Sequence, residues 1–142
     1  MIVEEVFENI IYPNLKDYVE TNSIYSPKIT KKRPQESKLF PIVPVRLLYS
    51  KNSYNNLSYG EETYTLGIEI DIYSIDIGNV SKRTICNEIT KIINDFFKEN
   101  YRLTIKNVID APNADSNIQR NNIRITGKLD TKYGLNNLVI YP

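Results

Sequence analysis

Thr63-Tyr64-Thr65-Leu66-Gly67-Ile68-Glu69-Ile70-Asp71-Ile72-Tyr73 alternates without a break. Tyr64, Leu66, Ile68, Ile70 and Ile72 share one parity, and Thr63, Thr65, Gly67, Glu69 and Asp71 share the other. Successive side chains of a strand point to opposite faces, so this pattern predicts a strand with one buried face and one polar face. A strand of this kind needs something to cover its isoleucines, and the flanking sequence supplies it. Asp76 to Val80 predicts a turn, and Ser81 is a candidate N-cap. From there to about Glu99, Ile85, Ile89, Ile92 and Phe96 recur at helical spacing, with Ile93 and Phe97 alongside. About 18 residues at 1.5 Å rise make a rod of roughly 27 Å, long enough to span a sheet.

On the N-terminal side, residues 39–49 read Leu-Phe-Pro-Ile-Val-Pro-Val-Arg-Leu-Leu-Tyr. Val43, Val45, Leu47 and Tyr49 share a parity and predict a second strand. Pro41 and Pro44 cannot donate to a ladder, so this strand is expected at a sheet edge, at least near its start. Residues 50–62, polar and asparagine-rich, are expected to form a long hairpin loop.

Beyond the helix, Tyr101 to Ile109 predicts a strand with Tyr101, Leu103 and Ile105 inward. Residues 118–129 predict another, with Ile123, Ile125 and Leu129 inward and Arg120, Arg124 and Lys128 outward. Tyr133-Gly134 turns, and Leu138 to Tyr141 can add a short last strand. At the other end, apolar residues from Ile2 to Val19 keep helical spacing, interrupted by Pro13. The helix is expected to end or kink near Ile11–Tyr12, with Pro13 able to open a second short helix. The order is helix, arm, strand, strand, helix, strand, strand. It predicts an α+β fold: a mostly antiparallel sheet of four or five strands, with an N-terminal helix and a long central helix on one face.

Length and charge bound the function. At 142 residues one domain is expected, spanning 1–142, with an extended basic arm at about 21–38. The 18 basic and 17 acidic side chains leave a net charge of +1, which argues against a general nucleic-acid binder. With no His and one Cys, His- or paired-Cys zinc sites, Ser-His-Asp and Cys-His catalysis and internal disulfides are excluded. The acidic start, Met1-Ile-Val-Glu-Glu, is unlike a signal peptide, and no stretch is apolar enough for a membrane span, so cytosolic synthesis is expected.

Few residues suggest chemistry. Glu69 and Asp71 lie about 7 Å apart by strand rise. Paired carboxylates can do acid–base work or hold a metal, but on a polar strand face a plain polar surface or a subunit contact accounts for them better. Asp110, Asn113, Asp115 and Asn117 fail the calcium-loop pattern, which needs Gly and Glu where this chain has Asp115 and Asn121; an Asx-rich turn accounts for them. Cys86 reads as a small core residue. Lys28, Lys31, Lys32 and Arg33 in the arm fit contact with an acidic partner or nucleic acid, and equally a solvated linker. Tyr54 and Tyr59 fit an exposed protein interface, and equally a loop folded back on the sheet. No phosphate-binding, dinucleotide or nucleophile-elbow motif occurs, so no enzyme and no cofactor are expected.

Over nearly its whole length the chain resembles the phage tail terminator, or tail completion, proteins. The resemblance is carried by the short N-terminal helix and loose arm, and by Phe40-Pro41-Ile-Val43-Pro-Val45, similar to their Phe-Pro-x-Val-x-Val first strand. It continues through Tyr64-Thr-Leu-Gly-Ile-Glu-Ile-Asp-Ile-Tyr73, the amphipathic helix, and Asn121-Asn-Ile-Arg124-Ile-Thr-Gly127-Lys-Leu-Asp130. The resemblance implies a virion structural protein forming a homo-oligomeric ring, usually a hexamer, on the head-proximal end of the tail tube. Such a ring stops polymerisation of the tube protein, presents a joining surface to the head–tail connector, and lets DNA pass without specific binding. The subunit or tube interface is then expected among Lys28, Lys31, Lys32, Arg33, Tyr54, Tyr59, Glu69 and Asp71. The alternatives are a connector or baseplate component of the same particle, a small nucleic-acid-binding module using Lys28–Lys38, Arg120, Arg124 and Lys128, and an enzyme whose site no short motif reveals.

Overall fold

The computed structural model describes residues 2–31, 40–53, 63–101, 108–111, 115–130 and 139–141. Its elements are α1 (Ile2–Val6), a π-helical turn (Phe7–Ile11), α2 (Tyr12–Asn22), β1 (Lys28–Thr30), β2 (Ile42–Ser53), β3 (Thr63–Ser74), α3 (Lys82–Tyr101), β4 (Val108–Ala111), β5 (Gln119–Asp130) and β6 (Val139–Tyr141). The protein is α+β, with one sheet ordered β1-β2-β3-β5-β4, and β6 also pairing with β5. All its ladders are antiparallel except β1–β2.

Proline chemistry shapes both ends of the N-terminal half. Pro13 lies in the first turn of α2, where its missing N–H does no harm. The helix neither stops nor breaks before it. The turn widens instead, and the Tyr12 N–H reaches back to the Phe7 carbonyl, an i to i−5 bond. Phe7 and Ile11 on the π turn, and Leu15 and Val19 on α2, stay buried on one face across this change of pitch.

The start of β2, which follows Pro41 and includes Pro44, is not at the sheet edge, while beyond Pro44 no described strand pairs with its outer side. Lys28–Thr30 pairs in parallel with Ile42–Pro44 and takes the edge. Pro41 contributes only its carbonyl, which accepts from the Lys28 N–H at 2.9 Å. On the other side the β2–β3 register passes from Ile42↔Tyr73 to Val45↔Ile70, skipping Pro44, which has no N–H to give. The first part of the expected arm is therefore structured: residues 21–22 finish α2 and residues 28–30 form β1. The rest of the arm, 32–38, lies outside the described residues.

Three further expectations are corrected. The β2 alternation does not run through Tyr49: the register shifts between Leu47↔Ile68 and Tyr49↔Gly67, with Leu48 the extra residue. Tyr101 ends α3 rather than starting a strand, and its ring packs edge-on against Phe96 at 5.8 Å between centroids. On α3 the fully buried stripe is Ile85, Cys86, Ile89, Ile93, Phe96 and Phe97, with Ile92 only half-buried at its flank. Ser81 does cap α3, its Oγ accepting from the Thr84 N–H at 3.2 Å, and Asp76 Oδ1 accepts from the Lys82 N–H at 2.7 Å. The turn before it is a tight hairpin closed by Ile77 and Val80, with Gly78 at φ +57° in its first central position.

The helices cover one face of the sheet. Val43, Val45, Leu66, Ile68, Ile70, Ile72, Ile123 and Ile125 meet α3, α2 and Phe7 in a single buried cluster. One end of this face is polar. Asn121 donates to Asn87 Oδ1 and Thr90 Oγ1, both at 3.1 Å, and accepts from Gln119 at 3.3 Å.

Candidate functional site

The opposite face of the sheet carries the charged side chains. Register dictates the arrangement: Arg46 of β2 and Arg124 of β5 both lie across from Glu69 of β3. Arg46 donates to Glu69 Oε1 through Nε at 2.9 Å and also through Nη2. Arg124 donates to Oε2 through Nε at 3.0 Å. One row down, Asp71 Oδ1 accepts from Arg120 Nε at 3.0 Å and from Asn122 Nδ2 at 2.8 Å. Arg120 also lies over the Tyr73 ring, 5.7 Å from its centroid.

Burial divides the network by sign. The side chains of Glu69 and Asp71 are 4% and 14% exposed, while those of Arg46 and Arg124 are 61% and 65% exposed. The carboxylates form a lower layer and the guanidiniums an upper one. Burial works to raise the Glu69 carboxyl pKa, but hydrogen bonds from Arg46, Asn122 and Arg124 and the Arg46 charge outweigh it and hold the group below the usual glutamate range. The hydrogen bond to Asp71 raises the Arg120 pKa further. A carboxylate held ionised in this way is a weak base, and its evident effect is to fix the two arginines in place.

Glu69 and Asp71 were legible as a pair on the polar face. Their partners at Arg120 and Arg124 were legible only as outward residues, and Arg46 was missed. The signal for Arg46 is its parity, opposite to that of Val45 and Leu47, but pairing it with Glu69 requires the register. Lys28 is exposed on β1. Lys31 is paired with Glu8 and lies 5.3 Å from the Tyr12 ring centroid, so it ties β1 to the N-terminal helix. Lys32, Arg33, Tyr54 and Tyr59 lie outside the described residues.

A groove of about 420 Å³ lies between α1, the π turn and the β1–β2 edge, lined by Glu4, Phe7, Glu8, Lys31, Val45, Arg46 and Leu47. Its charges are of both signs, and the Glu8–Lys31 pair lies at its margin. Of the loop before β5, residues 112–114 lie outside the described residues, and Asp115 makes an Asx turn, its Oδ1 accepting from the Asn117 N–H at 2.9 Å. Among the described residues no cluster of His, Cys, Asp or Glu could hold a metal, and no helix is long and apolar enough to cross a membrane. Cys86 is buried, with Sγ 3.7 Å from the carbonyls of Ile72 and Gln119. No protein-family model matches the chain, and no curated protein matches it either.

Proposed function

We propose that this chain is a structural, non-catalytic component of a phage or phage-like tail. It forms a homo-oligomeric ring, of six in the resemblance, on the head-proximal end of the tail tube. The ring stops tube polymerisation and gives the head–tail connector a surface to join. It is made in the bacterial cytoplasm and ends in the virion.

The observation that supports this reading is the two-layered build, with every described helix on one face of the sheet and a rigid ion-paired surface on the other. Helices plus sheet in this order are what the resemblance implies. A ring needs two complementary and non-identical surfaces on each subunit, and two faces that differ this completely are in keeping with that need. The paired carboxylates fit as supports of a contact surface, because both are held by arginines rather than left free for proton transfer. In this reading DNA passes through the ring without being gripped, in keeping with a net charge of +1.

The reading is tested on growing tubes. Purified chain is added to the polymerising tail tube protein of the same particle, and tube lengths are followed by negative-stain electron microscopy. Capping predicts that elongation stops and that extra density appears at one end only. Tubes that keep growing, or chain bound along their sides, would contradict it.

A further inference from the structure

We propose that the arginine-bearing sheet face of one copy docks on the acidic N-terminal helix layer of a second copy of this chain. The inference rests on the ring reading and deepens it by naming the two surfaces that meet.

The first surface is cationic in spite of its nearly balanced composition, because its carboxylates are the buried layer. What a partner meets is Arg46 and Arg124, 61% and 65% exposed, flanking β3 on either side. Their Cα atoms are separated by two strand spacings, roughly 10 Å. Each is fixed through Nε by Glu69, so little side-chain freedom remains to be lost on binding. The terminal edge of Arg124 is left towards solvent, and a guanidinium edge matches a carboxylate with two parallel hydrogen bonds.

The second surface is the helix spanning 2–22. It carries Glu4, Glu5, Glu8, Asp17 and Glu20 against a single base of its own, Lys16, and all six are exposed; Glu8 is already paired with Lys31, which leaves the other four carboxylates to a partner. This helix lies over β1 and β2 on the covered side of the sheet. Its Glu4 and Glu8 share a groove with Arg46 of the same chain, whereas Arg124, two strands further across the sheet on β5, is separated from the helix by the sheet itself. Among the described residues Arg124 pairs only with Glu69, and no ion pair joins it to Glu5, Asp17 or Glu20 of the same copy. The two surfaces match between copies, head to tail, and each added copy leaves one of each kind unmatched until a ring closes. Charge complementarity of this kind also penalises the wrong orientations, in which arginine face meets arginine face or helix meets helix.

The test uses the full chain and reads its mass by light scattering at low and high ionic strength, about 0.05 and 0.5 M, where charge pairs are weakly and strongly screened. The wild type is expected to assemble at low salt and to shift towards monomer at high salt. A helix-reversed chain (E4K/E5K/E20K) and a face-reversed chain (R46E/E69Q/R124E) are each expected to stay monomeric alone. Mixed, they are expected to assemble, because the lysine helix of one then meets the glutamate face of the other, and arginine meets glutamate at the alternate contact. Replacing Glu69 in the second variant avoids burying a carboxylate between two more. Circular dichroism checks that the variant folds, and should it not fold, R124Q is expected to weaken assembly at least tenfold.

A wild type that is monomeric at low salt overturns the proposal, as does a mixture that fails to assemble. Arg124-dependent binding of a short DNA duplex that displaces assembly overturns it in favour of nucleic acid. Tube capping is measured separately, so a chain that caps tubes while ignoring these substitutions removes this interface and leaves the cap.

Discussion

The two faces of the sheet use the same three strands and opposite physics. On the covered face, Ile68, Ile70 and Ile123 are wholly buried and meet α3 through shape alone. On the other, Glu69 is 3% exposed with no helix among the described residues above it, and its cover is the two arginines it binds. One residue step along β3 separates these regimes. Burial of apolar surface drives the first and sets stability, at roughly 25 cal/mol per Å². The second gains little from Coulomb attraction, because its arginines remain in water. What it gains is order: charged groups at fixed positions on a flat surface. A nearly buried carboxylate need not mark a reactive site or a core defect. Here it positions the cations that the surface presents.

The largest expected effect breaks the covered face. Ile70→Ala removes a wholly buried side chain beneath α3 and is expected to cost about 2–5 kcal/mol in urea unfolding, with no change in the charge-dependent association described above. Glu69→Gln breaks the other face. Removing one partner of a fully buried ion pair costs about 3–5 kcal/mol, but here both arginines can rehydrate, so about 1–2 kcal/mol is expected at neutral pH. Its larger effect falls on association, since Arg46 and Arg124 lose their common anchor.

Acid acts on the two faces differently. The folded Glu69 pKa lies below its unfolded value, so its stabilisation is present above about pH 4.3 and is lost as pH falls through the folded pKa. The stability gap between wild type and Glu69→Gln is therefore expected to narrow below pH 4, while the cost of Ile70→Ala stays nearly constant. Equal narrowing for both variants would show that Glu69 is not the titrating group. The smallest effect is a control that touches neither face. Ser81→Ala removes the α3 cap and is expected to cost about 1 kcal/mol with association unchanged.

Much of the fold was legible because each element has its own local signal. The alternation from Thr63 to Tyr73, the isoleucine stripe on α3 and the Ser81 cap each follow from short-range sequence. The errors came from residues whose placement is decided by a distant partner. Pro44 argued for an edge strand, but Lys28–Thr30 offered a parallel neighbour that takes only a carbonyl from Pro41, and three residues make too short a run to show periodicity. Leu48 looked like part of an alternation that the bulge interrupts. Asn121 and Asn122 are adjacent and both polar, yet one closes the covered face against Asn87 and Thr90 and the other holds Asp71. The carboxylates of the charged face were visible as a pair, and the cations that define it were not. Ion pairing across three strands is a property of register, and register is a long-range fact.

Capping of a tail tube is the central role proposed for this chain. The most direct measurement removes it: the gene is deleted from the phage or phage-like element that carries it, and tail lengths are measured by negative-stain electron microscopy. Overlong tubes of variable length without heads are expected, restored to uniform length by the wild-type gene and not by the face-reversed variant. Tails of normal length, whether joined to heads or detached from them, would contradict capping.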